Sequence, residues 1–180
     1  MDKGYAGTSV QQIADDTGVA LQTVYSSVGP KSAIVLALVD LIDEEAGRAE
    51  SAPLAFAETD PRGMIALGVR IPYNFVERSG DYVAALISAA QVEPDAAAAL
   101  NESWNRHHQG ALGLARKLMK SGAVRPGLTL DDVHAAFSMT TWASTQLLAR
   151  QRLGWDGPRW ERWCVRFLTD ALLGGQQGGR

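Results

Sequence analysis

The sequence is short of several things, and each shortage excludes something. It carries one cysteine, Cys164, in 180 residues, so no internal disulfide forms, and a lone thiol fits a reducing, cytoplasmic setting. No apolar run approaches the ~18 residues that a membrane-spanning helix needs, and no signal peptide is expected. Runs of β-branched residues are rare while alanine and leucine abound, which favours an all-α protein. Catalytic patterns are missing too: there is no glycine-rich phosphate loop, no G-x-S-x-G and no H-E-x-x-H. Three histidines and scattered carboxylates do not make an active site, and no carboxylate stands at ligand spacing for a metal. The expectation is therefore no enzyme, no metal and no cofactor. Basic charge is scarce as well. The net charge is −3. Residues 1–50 hold Lys3, Lys31 and Arg48 against Asp2, Asp15, Asp16, Asp40, Asp43, Glu44, Glu45 and Glu50, which weighs against a nucleic-acid partner. Most of those acids fall late in the third expected helix, away from the face that would meet DNA.

What is present starts with Thr8 to Lys31. Thr8 with Gln11 reads as a capping box that starts a helix at Ser9, and Val10, Ile13 and Ala14 give that helix one apolar face. Gly18 ends it, since glycine tolerates the left-handed conformation of a helix stop. Val19 is expected to plug the corner. Leu21 to Ser27 forms a second helix with Val24 inward. A third starts at Pro30 or Lys31, runs to about Gly47 and turns Ile34, Leu38, Leu41 and Ile42 inward. Helix, glycine turn, helix is the DNA-binding helix-turn-helix pattern.

Gly4, Tyr5, Thr8, Ser9, Val10, Ile13, Ala14, Gly18, Val19, Thr23, Val24, Tyr25 and Lys31 stand in a register that resembles the DNA-binding domain of tetracycline-repressor-like (TetR family) transcriptional regulators. In that family a further helix precedes Gly4-Tyr5. Met1-Asp2-Lys3 is at most its stub, so a shortened DNA-binding domain is expected. Ala20 stands where the family usually has a serine cap, and Ser27-Val28 replace a common His-Phe pair. The expected DNA contacts are Thr8, Ser9, Gln22, Thr23, Tyr25, Ser26 and Lys31. Residues early in a recognition helix reach base edges, and Gln22 suits an adenine. Tyr25 can donate its hydroxyl to a phosphate, and a phosphate beside Lys31 would offset a cation at a positive helix end.

The remaining chain reads as a second helical domain. The division expected is 1–48 for DNA binding, 54–173 for ligand binding and dimerisation, and 174–180 as a flexible tail. Helices are expected over Asp60 to Arg78, interrupted by Pro72 and ended by Ser79-Gly80, over Asp81 to Ala90, and over Pro94 to Ser121. Another, capped by Thr129 with Asp132, should run to Leu153, and the last spans Arg159 to Leu173. Before it, Gly154-Trp155 matches a Gly-Trp found in many family members. Trp160, Trp163, Cys164, Phe167, Leu168, Ala171 and Leu172 form the clearest apolar stripe, and Trp160, Trp163, Phe167, Leu168 and Leu172 are the candidate dimer residues. Met64, Tyr73 and Phe75 near Pro72, with Trp104, His107 and His108 on one helix face and Met139 and Trp142 beyond, are the candidate effector residues. Side chains of these types at helical spacing are more often plain core. No lysine or arginine cluster faces them, so the expected effector is small and apolar.

The resemblance implies a homodimer whose last two helices pair as a four-helix bundle. It also implies a cytoplasmic, ligand-responsive regulator: a repressor that binds a palindromic operator and is released by its effector. The alternative is a dimeric ligand-binding or protein-interaction module that has lost DNA binding.

Overall fold

A computed structural model describes residues 7–31 and 57–174, with positions 33, 34, 37, 40 and 53 between them. Among the described residues, seven helices follow one another: α1 (Val10–Thr17), α2 (Leu21–Ser27), α3 (Pro61–Ala89), α4 (Pro94–Lys120), α5 (Leu130–Thr140), α6 (Ala143–Leu153) and α7 (Gly157–Leu172). The all-α expectation holds.

The capping box of α1 sits one residue later than expected. Ser9, not Thr8, has the extended backbone of a cap, at φ −101° and ψ 158°. Its hydroxyl accepts from the Gln12 amide at 3.1 Å, and the Gln12 side chain accepts from the Ser9 amide at 3.0 Å. Gln11 instead donates to Asp15 at 2.8 Å. Gly18 ends the helix in the left-handed region, at φ 68°, where a side chain would be strained. Ala20 gives α2 no side-chain cap. Val19 is 40% exposed and does not plug the corner; Val10 and Ala14 are the buried apolar residues there. Lys31, Ala33, Ile34, Ala37 and Asp40 are helical, while Leu38, Leu41 and Ile42 of the expected inner stripe lie outside the described residues.

Beyond residue 60 the molecule is built around α3. Asp60 caps it, accepting from the Gly63 amide at 2.9 Å. The helix then runs unbroken through Pro72 and through Ser79-Gly80, where a break and an end were expected. The reason is tertiary. Ser79 and Gly80 are buried, and the Ser79 hydroxyl donates back to the Phe75 carbonyl at 2.5 Å, so no local polar group asks the chain to turn. One face of α3 meets α4, and others meet α6 and α7. Glu77 fastens α3 to α6 by accepting from Gln146 at 2.9 Å and Arg150 at 2.7 Å. The main core gathers Ile65 and Val69 of α3, Leu118 of α4, Val133 and Phe137 of α5, and Trp160 and Leu168 of α7. The loop before α5 is pinned to the end of α7: the Arg125 amide donates to the Leu172 carbonyl at 2.8 Å, and the Gly174 amide to Ala123 at 3.2 Å. Residues 175–180 of the expected tail lie outside the described residues.

Gly68 marks the tightest approach. A methyl group there would collide with the Leu114 side chain and crowd the Phe137 ring. Gly68→Ala is expected to destabilise the fold by about 1–3 kcal/mol, the usual cost of overpacking, even though alanine is the better helix former. A shift of the urea midpoint to lower concentration is the readout; an unchanged or higher midpoint would show that α3 and α4 can separate freely.

Candidate functional site

A single helix from Thr129 to Leu153 was expected, but the chain breaks at Thr141-Trp142. The Thr129–Asp132 capping box starts α5 as the sequence indicates. Trp142 then adopts an extended conformation, φ −64° and ψ 140°, and becomes the cap of α6. A broken helix strands its last carbonyls, and here each finds a partner. The Phe137 carbonyl accepts from the Thr141 amide at 3.0 Å and hydroxyl at 2.8 Å. The Met139 carbonyl accepts from the Thr145 hydroxyl at 2.9 Å. The Ser138 carbonyl lies 3.0 Å from His107 Nε2; a carbonyl only accepts, so this nitrogen carries the proton. The Cys164 thiol reaches toward the Thr140 carbonyl at 4.0 Å. Burial pushes that thiol up to about 12, so Cys164 stays protonated and is core, as its place on the apolar stripe suggests.

The break turns the Trp142 ring onto α4. Its centroid is 5.1 Å from Trp104 at 89°, edge to face, and 5.3 Å from His107. Trp104 stacks on His108 at 5.6 Å and tilts against His107 at 5.9 Å. The sequence-based grouping of Trp104, His107, His108 and Trp142 therefore exists in space. His134, which the sequence reading passed over, joins it. Its ring is 4.0 Å from His108, and its Nε2 donates to the His108 carbonyl at 3.0 Å. A histidine two residues after the capping-box aspartate, facing α4, was the available signal. Ser138, buried, places its hydroxyl 3.4 Å from His108 Nδ1.

Beside this cluster lies a cavity of ≈40 Å³ lined by Ile71, Pro72 and Phe75 of α3, Ser103 and His107 of α4, and Thr141, Trp142 and Ala143 at the break. Pro72 has no amide hydrogen, so the Gly68 carbonyl lacks its helical donor. The space is far below the roughly 300 Å³ at which drug-sized pockets begin.

Of the expected lining residues, Phe75, His107 and Trp142 line this cavity, Trp104 and His108 stand in the cluster beside it, and three are elsewhere. Met64 is 3% exposed and belongs to the main core, where it meets other apolar side chains rather than a void. Met139 is 66% exposed, on the outer side of α5. Tyr73, one residue past Pro72, is turned about 100° from it by the helical pitch and packs at the start of α7, where a methyl on Gly157 would strike its ring. Burial, with Glu77, Glu161 and Asp156 nearby, raises the Tyr73 phenol above its ordinary value.

The candidate dimer residues divide in the same way. Trp160, Leu168 and Leu172 are at most 2% exposed inside the chain's own core and have no surface to offer a partner. Trp163 and Phe167 lie on the outer flank of α7, ring against ring at 5.1 Å and 10°, with Trp155 edge-on to Trp163 at 5.7 Å. Phe167 is 45% exposed, and Leu148 and Leu153 of α6 are exposed as well.

The second helix, α2, buries none of its residues. Gln22, Thr23 and Ser26 are exposed, Tyr25 is 47% exposed, and the Ser26 hydroxyl is turned back onto the Thr23 carbonyl at 3.1 Å. Ser9 serves its own capping box. Thr8 and Lys31, half-buried, flank this surface. Among the described residues, Arg106, next to His107 on α4, meets Asp40 at 2.6 Å and stands 3.8 Å from Glu102.

No family model matches the sequence, and no curated protein matches it either. Solved structures do. A protein from Saccharomonospora viridis, assigned as a transcriptional regulator and crystallised in complex with choline, superimposes with a TM-score of 0.71 at 14% identity, over 94% of this chain and 89% of that one. A TetR-family transcriptional regulator from Mesorhizobium loti gives 0.66 at 19% identity, over 96% and 90%. The TetR-family regulator PfmR from Thermus thermophilus gives 0.59 at 18%, over 98% and 91%. The chain has the TetR-regulator fold. The helix-turn-helix register read from the sequence and the helical architecture after residue 60 thus agree on one fold. Among the described residues, no helix is long and apolar enough to cross a membrane.

His107 holds the break closed through the Ser138 carbonyl. His107→Leu is expected to lower stability by about 1–3 kcal/mol, because the carbonyl is left without a donor. His107→Gln, which can still donate, should recover part of the loss. Equal stability of the leucine variant and wild type in urea denaturation would show that the carbonyl has another partner.

Proposed function

We propose that the chain is a DNA-binding transcriptional regulator, a repressor, that works as a homodimer and is released from a palindromic operator by a small molecule. The observation that carries this is α2. It is a helix with no buried residue, held at the corner set by Gly18, and it presents Gln22, Thr23, Tyr25 and Ser26 outward. Such a helix contributes little to the core, and its polar outward face suits a major groove. The stacked Trp163 and Phe167 on α7, with Leu148 and Leu153 exposed on α6, support a two-fold contact built from α6 and α7. The cavity at the α5–α6 break supports an effector site.

The lining of that cavity favours an apolar effector, neutral or singly cationic. No lysine, arginine or carboxylate lines it, and Phe75 and Trp142 offer aromatic faces. A relative of the same fold holds choline, and aromatic faces attract quaternary ammonium groups. Binding at this site selects a state in which Trp142 has swung out. That motion acts on His107, and through its neighbour Arg106 on Asp40 and the segment after the helix-turn-helix.

The test of DNA recognition is fluorescence anisotropy with operator fragments selected from random sequence. The expected site is a pseudo-palindrome with half-sites about 34–36 Å apart or a multiple of that, and binding should fall steeply with salt. Tyr25→Phe and Lys31→Ala should weaken binding to all sequences by about 1 kcal/mol each, roughly fivefold. Gln22→Ala should relax preference at one base position. Phe167→Glu should leave a monomer that holds a half-site weakly. Equal binding to scrambled DNA overturns the proposal.

Coupling is tested separately. The Arg106–Asp40 pair is exposed, so Arg106→Ala should cost under about 1 kcal/mol of stability while reducing effector-induced release several-fold, within the ~1–3 kcal/mol typical of allosteric coupling. If release is unchanged while thermal shift shows the effector still bound, coupling runs by another route.

A further inference from the structure

A second concavity lies away from the effector cavity and from the Trp163–Phe167 flank. It is an open groove of ≈450 Å³ between the first turns of α3 and the outer side of α7. Arg62 and Arg70 stand on the α3 wall, and Arg162 and Arg166 on the α7 wall. The two helices run antiparallel here, since Arg70 meets Glu161 while Gly157 lies against Tyr73 and Glu77. Arg62 therefore faces the Arg166 end. Four guanidinium groups line the groove against two carboxylates, Glu161 and Asp170. Glu161 is taken by Arg70 at 2.8 Å, which leaves three arginines and one carboxylate. Ala66 and Val165 form an apolar floor.

This arrangement is unfavourable when empty. Like charges on facing walls repel, and Arg62 is the second residue of α3, where the positive end of the helix dipole disfavours a cation. A bound anion reverses both effects. Planar guanidinium groups match phosphate oxygens in pairs. Arg162 and Arg166 are one turn apart on α7, roughly 6 Å at 1.5 Å per residue, which suits two linked phosphates better than one and is short for a protein partner. The geometry points to a binding site for a diphosphate group, free or carried on a larger molecule. Arg62, Arg162 and Arg166 contact its oxygens, and Arg70 is held at one end by Glu161.

The experiment is isothermal titration calorimetry of the full chain with inorganic pyrophosphate at physiological ionic strength, and with ADP in a second arm. A saturable one-to-one isotherm is expected, at least tenfold weaker in the double variant R162A/R166A and unchanged in Arg152→Ala, on α6 outside the groove. All three side chains are exposed, so the variants should fold, and their circular dichroism should match that of the parent. Tighter binding of ADP identifies a carried diphosphate, and equal binding a free one; both support the site. The proposal is overturned if pyrophosphate gives no saturable heat, if R162A/R166A binds as well as wild type, if sulfate binds as tightly as pyrophosphate, or if only a long polyanion such as heparin binds. None of these outcomes bears on operator binding or on the cavity at Trp142.

Discussion

The close packing of α3 against three neighbours is the constraint on which the larger part of the molecule depends. Gly68 lets α4 and α5 approach, Glu77 ties down α6, and the outer turns of α3 carry α7. That packing explains why the helix survives a proline and a Ser-Gly pair. A proline inside a helix costs ~3 kcal/mol or more, but burying Ile65, Val69 and Val76 recovers ~1.5–3 kcal/mol for each side chain. Local preference loses to burial at Pro72.

The opposite outcome occurs between α5 and α6. Nothing at Thr141-Trp142 is a strong helix breaker by composition, yet the helix stops there. Stopping turns a large aromatic ring onto Trp104 and His107, and neighbouring donors recover the stranded carbonyls. The polar contacts of the break are thus drawn from four elements: Thr141 itself, Thr145 of α6, His107 of α4 and Cys164 of α7.

Charge is divided along the same lines. The cavity at the α5–α6 break is lined by no lysine, arginine or carboxylate, while arginines gather in the groove between α3 and α7. The two concavities therefore select different chemistry, one through aromatic faces and the other through guanidinium groups. The helix-turn-helix differs from both in its chemistry. Its outward residues are polar and mostly uncharged, so any base reading there rests on hydrogen bonds more than on net charge.

Much was legible in the residues alone. Ser9 caps α1 and Gly18 stops it, so α1 is a local structure, and the turn at Gly18 sets where α2 begins even though Ala20 gives it no side-chain cap. The capping box at Thr129–Asp132 and the grouping of Trp104, His107 and His108 are local for the same reason: residues three and four apart share a helix face. What the residues could not show was decided between helices. Whether Trp160 faced a partner or the core, whether Met64 and Met139 met a cavity, and whether Pro72 or Thr141 ended a helix all depended on which face each helix turned to its neighbours. An apolar stripe records only that something covers it. The covering surface lies many residues away in the chain, and only the packed structure identifies it: for Trp160, Leu168 and Leu172, the chain's own core; for Trp142, the ring of Trp104.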